Sequence, residues 1–282
     1  MSRKRMTRPL ILLCNDDGIG SPGLRAAVEA VSGLGELLVV APKTQQTAAG
    51  RSLVGPDHAV LEPVSYRISG RKIRAYQVEC SPAMLVDLAF AILFTDRKPS
   101  LVVSGINYGE NAGAAVTASG TVGAALEAAS LGVPSLATSR QVEIKHHLRY
   151  GRLDWSAAKH FTRIFAKKLL GRRFPEGVDV FNLNVPASAK KSTPWRLTRV
   201  SRQSYFAFEI AKPTLSSKLG DGRVKVRLGH DFLEKDSDIH ALLHDHVVSV
   251  SPLTSDLTSR VDAGKLSAWL SNGARSRQPG LQ

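Results

Sequence analysis

Two cysteines in 282 residues, Cys14 and Cys80, are too few for a disulfide framework, and a reducing compartment is expected. Long apolar runs are missing as well. The first, residues 10–14, stops at Asn15-Asp16-Asp17 after about half the length of a signal-peptide core. Nothing later approaches the roughly 20 residues of a membrane span. A soluble, cytoplasmic chain with no membrane partner is the expectation. Aromatic residues make up only 6%. None interleaves with the Lys and Arg clusters as in a single-strand-binding groove, so no specific nucleic-acid partner is expected. Internal repeats and low-complexity tracts are absent too.

What the chain has in excess is positive charge. Its 38 Lys and Arg against 24 Asp and Glu give a formal charge of +14 and a pI near 10.1, a field that attracts polyanions without doing chemistry on them. The excess sits in Arg3, Lys4, Arg5 and Arg8 and in the Lys167, Lys168, Arg172, Arg173 and Lys190, Lys191 clusters, which read as tails and solvated faces. With 43% hydrophobic residues, the chain can bury the core of one large domain, or of one domain with an appendage.

The stretch from Leu10 to Gly23 organises the rest. Its apolar run suits a buried parallel strand, and residues 23–33 carry Leu24, Ala27, Val28 and Val31 at helical spacing, a β-turn-α opening. Ligands of open α/β sheets sit beyond the carboxyl ends of strands, where Asp16 and Asp17 fall. Adjacent carboxylates repel unless a cation lies beside them, so a divalent metal is the economical explanation, with a solvated Asp-Asp-Gly turn as the alternative for the pair alone. Residues 36–42 read as a second buried strand followed by a polar loop with Thr47, and residues 101–103 as a third, followed by a glycine-rich loop with Asn107. Carboxylate, hydroxyl and amide oxygens are hard ligands suited to Mg²⁺ or Mn²⁺ and not to zinc. Ser119-Gly120-Thr121 opens a helix of small and apolar residues over 122–131. Such a buried helix points free backbone N–H groups at a ligand, and these favour phosphate.

Residues 58–78 read as an insertion in which Ser69-Gly70-Arg71-Lys72 makes a hairpin with a short turn, and Ser81-Pro82 as the cap and start of a helix to about residue 94, with Asp87 exposed. A strand at 133–138, a helix at 153–170 and a strand at 178–185 follow. The character then shifts: residues 187–235 are basic and polar with scattered β-type stretches, a protruding hairpin arm for subunit contact, before a strand at 247–250 and a final helix near 256–270. His240, His244 and His246 have metal-ligand spacing, but no Glu follows His240 and a solvated face is the favoured reading. His58, His146, His147, His160 and His230 receive no role.

Asn15-Asp16-Asp17-Gly18, Val40-Ala41-Pro42, Ser104-Gly105-Ile106-Asn107 with Gly109 and Asn111, Ser119-Gly120-Thr121, Gly123-Ala124-Ala125-Leu126-Glu127 and Asn182-Leu183-Asn184-Val185-Pro186 together resemble the SurE family of survival-protein nucleotidases. The resemblance implies an α/β fold: a Rossmann-like three-layer domain with a mostly parallel sheet, a β-hairpin arm, and a helical tail used in oligomerisation. Residues 1–9 then form a basic extension, 10–186 the catalytic domain and 187–282 the arm and tail, with 236–253 returning to the core. It also implies a homodimer or homotetramer, a divalent metal (Mg or Mn), and hydrolysis of nucleoside 5′- or 3′-monophosphates, or of other phosphomonoesters and polyphosphate. Position by position, Asp16 and Asp17 match the metal-binding and catalytic aspartates, Asn107 the amide ligand, and Thr47 the place of a serine ligand. Asn111, Ser119, Gly120 and Thr121 match the phosphate pocket. Three places depart from the pattern. Met84 replaces an acid, Lys43-Thr44-Gln45-Gln46 replaces a loop with Asp and Arg, and Ala115 and Ala118 stand where an aspartate and a Tyr or His are common. These departures motivate an alternative, a nucleotide-binding protein with little or no turnover. A basic nucleic-acid-binding protein built on the arm is a third reading.

Overall fold

The run Leu10–Cys14 forms strand β1 at the centre of the sheet. The structure, a computed structural model, describes residues 8–144, 147, 150–227 and 232–271; Arg3, Lys4, Arg5, His146 and His230 lie outside the described residues. Alternation along β1 sends Ile11 and Leu13 to one face and Leu12 and Cys14 to the other, and all four are fully buried. Each such aliphatic side chain stabilises the fold by about 1.5–3 kcal/mol. Helix α1 (Pro22–Val31) begins where Ser21 Oγ accepts from the Gly23 and Leu24 amides and Pro22 pre-sets the first helical turn. It buries Leu24, Ala27, Val28 and Val31, the face its spacing predicts.

β2 (Glu36–Pro42) pairs parallel with β1. β3 (Glu62–Pro63), β4 (Tyr66–Ile68) and β5 (Arg71–Val78) follow, then α2 (Pro82–Leu93) and β6 (Leu101–Tyr108). The hairpin turn lies where the sequence places it, with Ser69 and Gly70 both at positive φ, 47° and 78°, as a two-residue type I′ turn requires. The reading of 58–78 as an insertion is corrected. β5 pairs parallel with β2 from Leu38↔Arg74 to Pro42↔Val78 and is itself a strand of the central sheet, which makes β6 the fourth parallel strand in chain order. With Arg71, Lys72 and Arg74 exposed, β5 lacks the unbroken apolar run that marks β1 and β2. Ser81 also differs: its hydroxyl donates to the Ser52 carbonyl and accepts from the Val54 amide, fixing a loop and not the helix it precedes. Asp87 is half-buried, and desolvation and the neighbouring Glu127 raise its carboxyl.

α3 (Gly120–Ser130), β7 (Ser135–Arg140), α4 (Ser156–Leu169) and β8 (Val180–Val185) complete the parallel part. Across the sheet the parallel strands run β5-β2-β1-β6-β7-β8, so chain order reverses between β1 and β6. α1 and α4 cover one face, α2 and α3 the other, giving three layers. Beyond Pro186 the chain adds β9 (Trp195–Leu197), the pair β10 (Phe206–Glu209) and β11 (Arg223–Val226), α5 (Asp238–Leu243), β12 (Val248–Leu253) and α6 (Ala263–Ser271). β12 joins β8 antiparallel and β9 joins β12 in parallel, while β10 and β11 form a separate hairpin. None of the α6 residues is buried. Among the described residues no helix is long and apolar enough to cross a membrane.

Candidate functional site

The reversal between β1 and β6 is the position where open α/β sheets bind ligands, and Asp16 and Asp17 stand there at the end of β1. Only 6% and 4% of their surfaces are exposed. Thr121 donates its hydroxyl to Asp16 Oδ1. Asp17 accepts from the Tyr108 amide at 3.0 Å and from Gln45 Nε2 at 3.2 Å. Burial raises the Asp16 carboxyl above the usual carboxylate range, opposed by the Thr121 bond. Burial raises Asp17 further, the charge of Asp16 adds to it, and the Tyr108 and Gln45 bonds oppose it.

Local backbone devices bring the other residues to this pair. β6 shifts register against β7 between Ser104 and Asn107. Gly105 is required there, since a Cβ would fall 2.1 Å from the Thr138 carbonyl oxygen. The irregularity re-aims the strand end, as bulges beside sites do, and sets the Tyr108 amide on Asp17. Asn107 donates its Nδ2 to the Gly109 carbonyl at 2.8 Å, leaving the lone pairs of Oδ1 to face a ligand. On the β2 side the Gln46 amide donates to the Asp16 carbonyl at 2.7 Å, tying the loop of Thr47 to the pair. Gly120 abuts Asp16 so closely that a Cβ would lie 2.7 Å from that of the aspartate. Ser119 caps α3 through the Val122 amide.

Asp16, Asp17, Thr47, Asn107, Asn111 and Ser119 line one cavity of about 540 Å³, within the roughly 300–1,000 Å³ of small-molecule sites. Gly120 and Thr121 stand behind the lining, against Asp16. Asn111 is held in a buried amide network: its amide donates to Asn184 Oδ1, its Nδ2 to Ser139, and its carbonyl accepts from Asn182 and Asn184.

No Lys or Arg is among the lining residues. Two buried, mutually repelling carboxylates facing a cavity without a basic side chain fit a cation, and hydroxyl and amide oxygens beside them fit a hard one. Among the described residues no group of three or more His, Cys, Asp or Glu gathers as a metal site, in keeping with a donor set in which only two members are acids. His240 is tied to Asp245 at 3.0 Å, and Asp245 in turn to Arg196 at 2.6 Å.

The sequence profile described as Survival protein SurE matches residues 11–207. The chain belongs to the SurE family. It is 41% identical over 262 residues to a protein named 5′-nucleotidase SurE from Thermococcus gammatolerans, covering 91% of this chain and 94% of that one. A 5′-nucleotidase SurE from Methanothrix thermoacetophila is 38% identical over 271 residues, covering 91% and 96%. The crystal structure of the SurE protein from Aquifex aeolicus superposes with a TM-score of 0.72 at 28% identity, covering 94% of this chain and 99% of that one.

Against the SurE pattern, Ala115 and Ala118 line the cavity, whereas Met84, on α2, packs half-buried against the core and Lys43 pairs with Glu62 at 2.7 Å. Two of the three departures therefore bear on the cavity directly, Ala115 with Ala118, and the Lys43–Gln46 loop through Gln45, which lines the cavity and donates to Asp17. Sequence reasoning missed Gln45, Glu110, His147 and Phe206, all in the lining. In the sequence His147 is one scattered histidine with no motif around it. Its carbonyl accepts from the same Gln45 amide nitrogen that serves Asp17, at 2.7 Å. Burial holds its imidazole below the usual histidine value, partly offset by a hydrogen bond with the Val142 backbone.

Proposed function

We propose that this chain is a metal-dependent phosphatase that hydrolyses nucleoside monophosphates. The observation that carries the reading is the buried Asp16–Asp17 pair at the reversal of strand order, facing a cavity with oxygen donors and no basic side chain. Asp16, Asp17, Thr47 and Asn107 would hold a Mg²⁺ or Mn²⁺ ion. When bound, such an ion supplies charge neutralisation at a phosphate oxygen and a more acidic water. The rest of the chemistry belongs to the chain. Asp17, anchored by Tyr108 and Gln45, is oriented to accept a proton from a water or to attack phosphorus itself. Ser119 and the backbone amides at the start of α3 stabilise charge on the equatorial oxygens. Asn111, locked by Ser139 and Asn184, positions the phosphate. The names of the relatives support this substrate class, including the 5′-phosphate, with 3′-phosphates and polyphosphate as further members of the panel to test.

Ala115 and Ala118 in the cavity favour a second reading, a nucleotide-binding protein with weak or no turnover. Incubation with Mn²⁺ or Mg²⁺ and a panel of 5′- and 3′-mononucleotides, sugar phosphates and polyphosphate separates the two. Phosphate release from mononucleotides supports the first reading; tight nucleotide binding without release overturns it in favour of the second. A homo-oligomer in the cytoplasm completes the proposal. Helix α6, which buries none of its residues and exposes Leu266, Trp269 and Leu270, is the surface a second copy would cover.

A further inference from the structure

The cavity that holds the carboxylates has a second, apolar part built by the β10–β11 hairpin. Strand alternation makes that hairpin two-faced. Phe206 faces Val226 and Phe208 faces Val224 across the pair, while Ala207, Lys225, Glu209 and Arg223 share the other face, where Lys225 and Glu209 form an ion pair at 2.7 Å. Phe206 and Val224 reach the cavity lining together with Ile144, His147, Ala115 and Ala118.

Phe206 is not carried on a loose arm. The neighbouring Tyr205 is fully buried, donating its hydroxyl to Glu110 and accepting from Gln141 Nε2 at 3.1 Å. Ser204 Oγ donates to the Phe206 carbonyl at 2.6 Å, Ser204 bridges to Gly113, and the Ala114 amide donates to the Gln203 carbonyl at 2.9 Å. The root of the hairpin is thus fastened to the loop that follows Asn111. The Phe206 ring is set edge-to-face against His147 (centroids 5.7 Å apart, planes at 89°) and against Tyr205 (4.8 Å, 88°). Burial lowers the His147 imidazole below its usual value, which disfavours a charge on this wall. Glu110, a further carboxylate in the lining, is spent on Tyr205 and on the Val142 amide.

We infer that Phe206, with His147 behind it, is the specificity-determining platform on which an aromatic nucleobase stacks. Base recognition there rests on ring contact, beside a His147 Nε2 that is buried without a hydrogen-bond partner. A flat π-system is the ligand chemistry that such a wall rewards, because every base has a stacking face. A sugar phosphate or a polyphosphate offers none. Ala115 and Ala118, small where the family pattern has larger polar groups, leave that part of the cavity apolar. The inference deepens the nucleotidase reading by assigning the residue that selects a nucleoside leaving group, but its primary test needs neither phosphate nor metal.

Saturation-transfer NMR and calorimetry with adenosine, with ribose as the contrast, read the platform directly. Adenosine is expected to bind, with saturation strongest at the adenine protons, and ribose is not. Phe206→Ala and Phe206→Leu are each expected to weaken adenosine about 5- to 100-fold, the range that base–aromatic stacking carries, and Phe206→Trp to retain it. Melting curves show that the variants remain folded. In the presence of Mn²⁺, Phe206→Ala is expected to lower the ratio of kcat/KM for AMP over glycerol 2-phosphate about tenfold, through KM for AMP. Adenosine binding that is equal in wild type, Phe206→Leu and Phe206→Trp overturns the inference, as does an unchanged ratio. Phe206-dependent adenosine binding by a protein that releases no phosphate supports the platform and counts against the nucleotidase reading.

Discussion

Thr121, the second residue of α3, donates its hydroxyl to the carboxylate of Asp16 at the end of β1, across 105 positions of chain. With Gly120 pressed against the same aspartate, this bond fixes the distance between the candidate phosphate-binding helix start and the candidate metal-binding turn.

Thr121→Val keeps the shape and removes the donor. A hydrogen bond to a charged group is worth about 1.5–3 kcal/mol, so metal-dependent phosphate release is expected to fall about 10- to 100-fold. The bond holds the Asp16 carboxyl down, so its loss raises that carboxyl further and moves the acid limb of the pH–rate profile to higher pH. Steady-state kinetics across pH check both effects. An unchanged profile contradicts the role given to Thr121.

The carboxylate pair also has a stability consequence whose sign is fixed. Burial raises both carboxyls in the folded state from ordinary values of 3.8. A carboxyl with a raised folded value holds its proton more tightly in the native state. Its contribution is present at low pH and is lost as pH climbs from the unfolded value through the raised one. At neutral pH and without a divalent cation, the pair therefore costs stability. Asp17→Asn removes one charge and is expected to raise the metal-free stability at about pH 7 by about 0.5–2 kcal/mol, a gain that shrinks as the pH approaches about 4. Melts in EDTA across this range test it; a variant less stable than wild type at neutral pH speaks against the assigned burial.

Asn184→Leu strips the acceptor from the Asn111 amide and one donor from its carbonyl. A buried backbone amide left without a partner costs about 1–3 kcal/mol, so a lower denaturation midpoint is expected, with a raised KM for mononucleotides as Asn111 loses its setting. Chemical denaturation and kinetics on the same variant read both; a normal KM would detach Asn111 from the phosphate.

Trp269 is 69% exposed on a helix that buries none of its residues. Trp269→Asp is expected to shift the mass measured by light scattering toward the monomer. An unaltered mass places the subunit contact elsewhere.

The parts of this architecture legible in the sequence are those written in contiguous residues. The run into Asp16-Asp17, the spacing of Leu24, Ala27, Val28 and Val31 and the short turn at Ser69-Gly70 each carry their signal within a few positions. β5 hides its place in the sheet because exposed Arg71, Lys72 and Arg74 interrupt its pattern. The apolar wall was not legible at all: Phe206 lies in a four-residue strand and His147 outside any helix or strand, and only the fold brings them beside Ala115 and Ala118. The clasp of Asn111 by Asn182, Asn184 and Ser139 likewise joins the loop after β6 to two strands, β7 and β8.

The most direct test of the central claim is phosphate release from AMP by wild type and Asp17→Asn, each with and without Mn²⁺. The account predicts release that depends on the metal in the wild type and is lost at least about 100-fold in the variant, with the fold intact by melting. Metal-independent release, or Asp17→Asn activity near that of wild type, would contradict it.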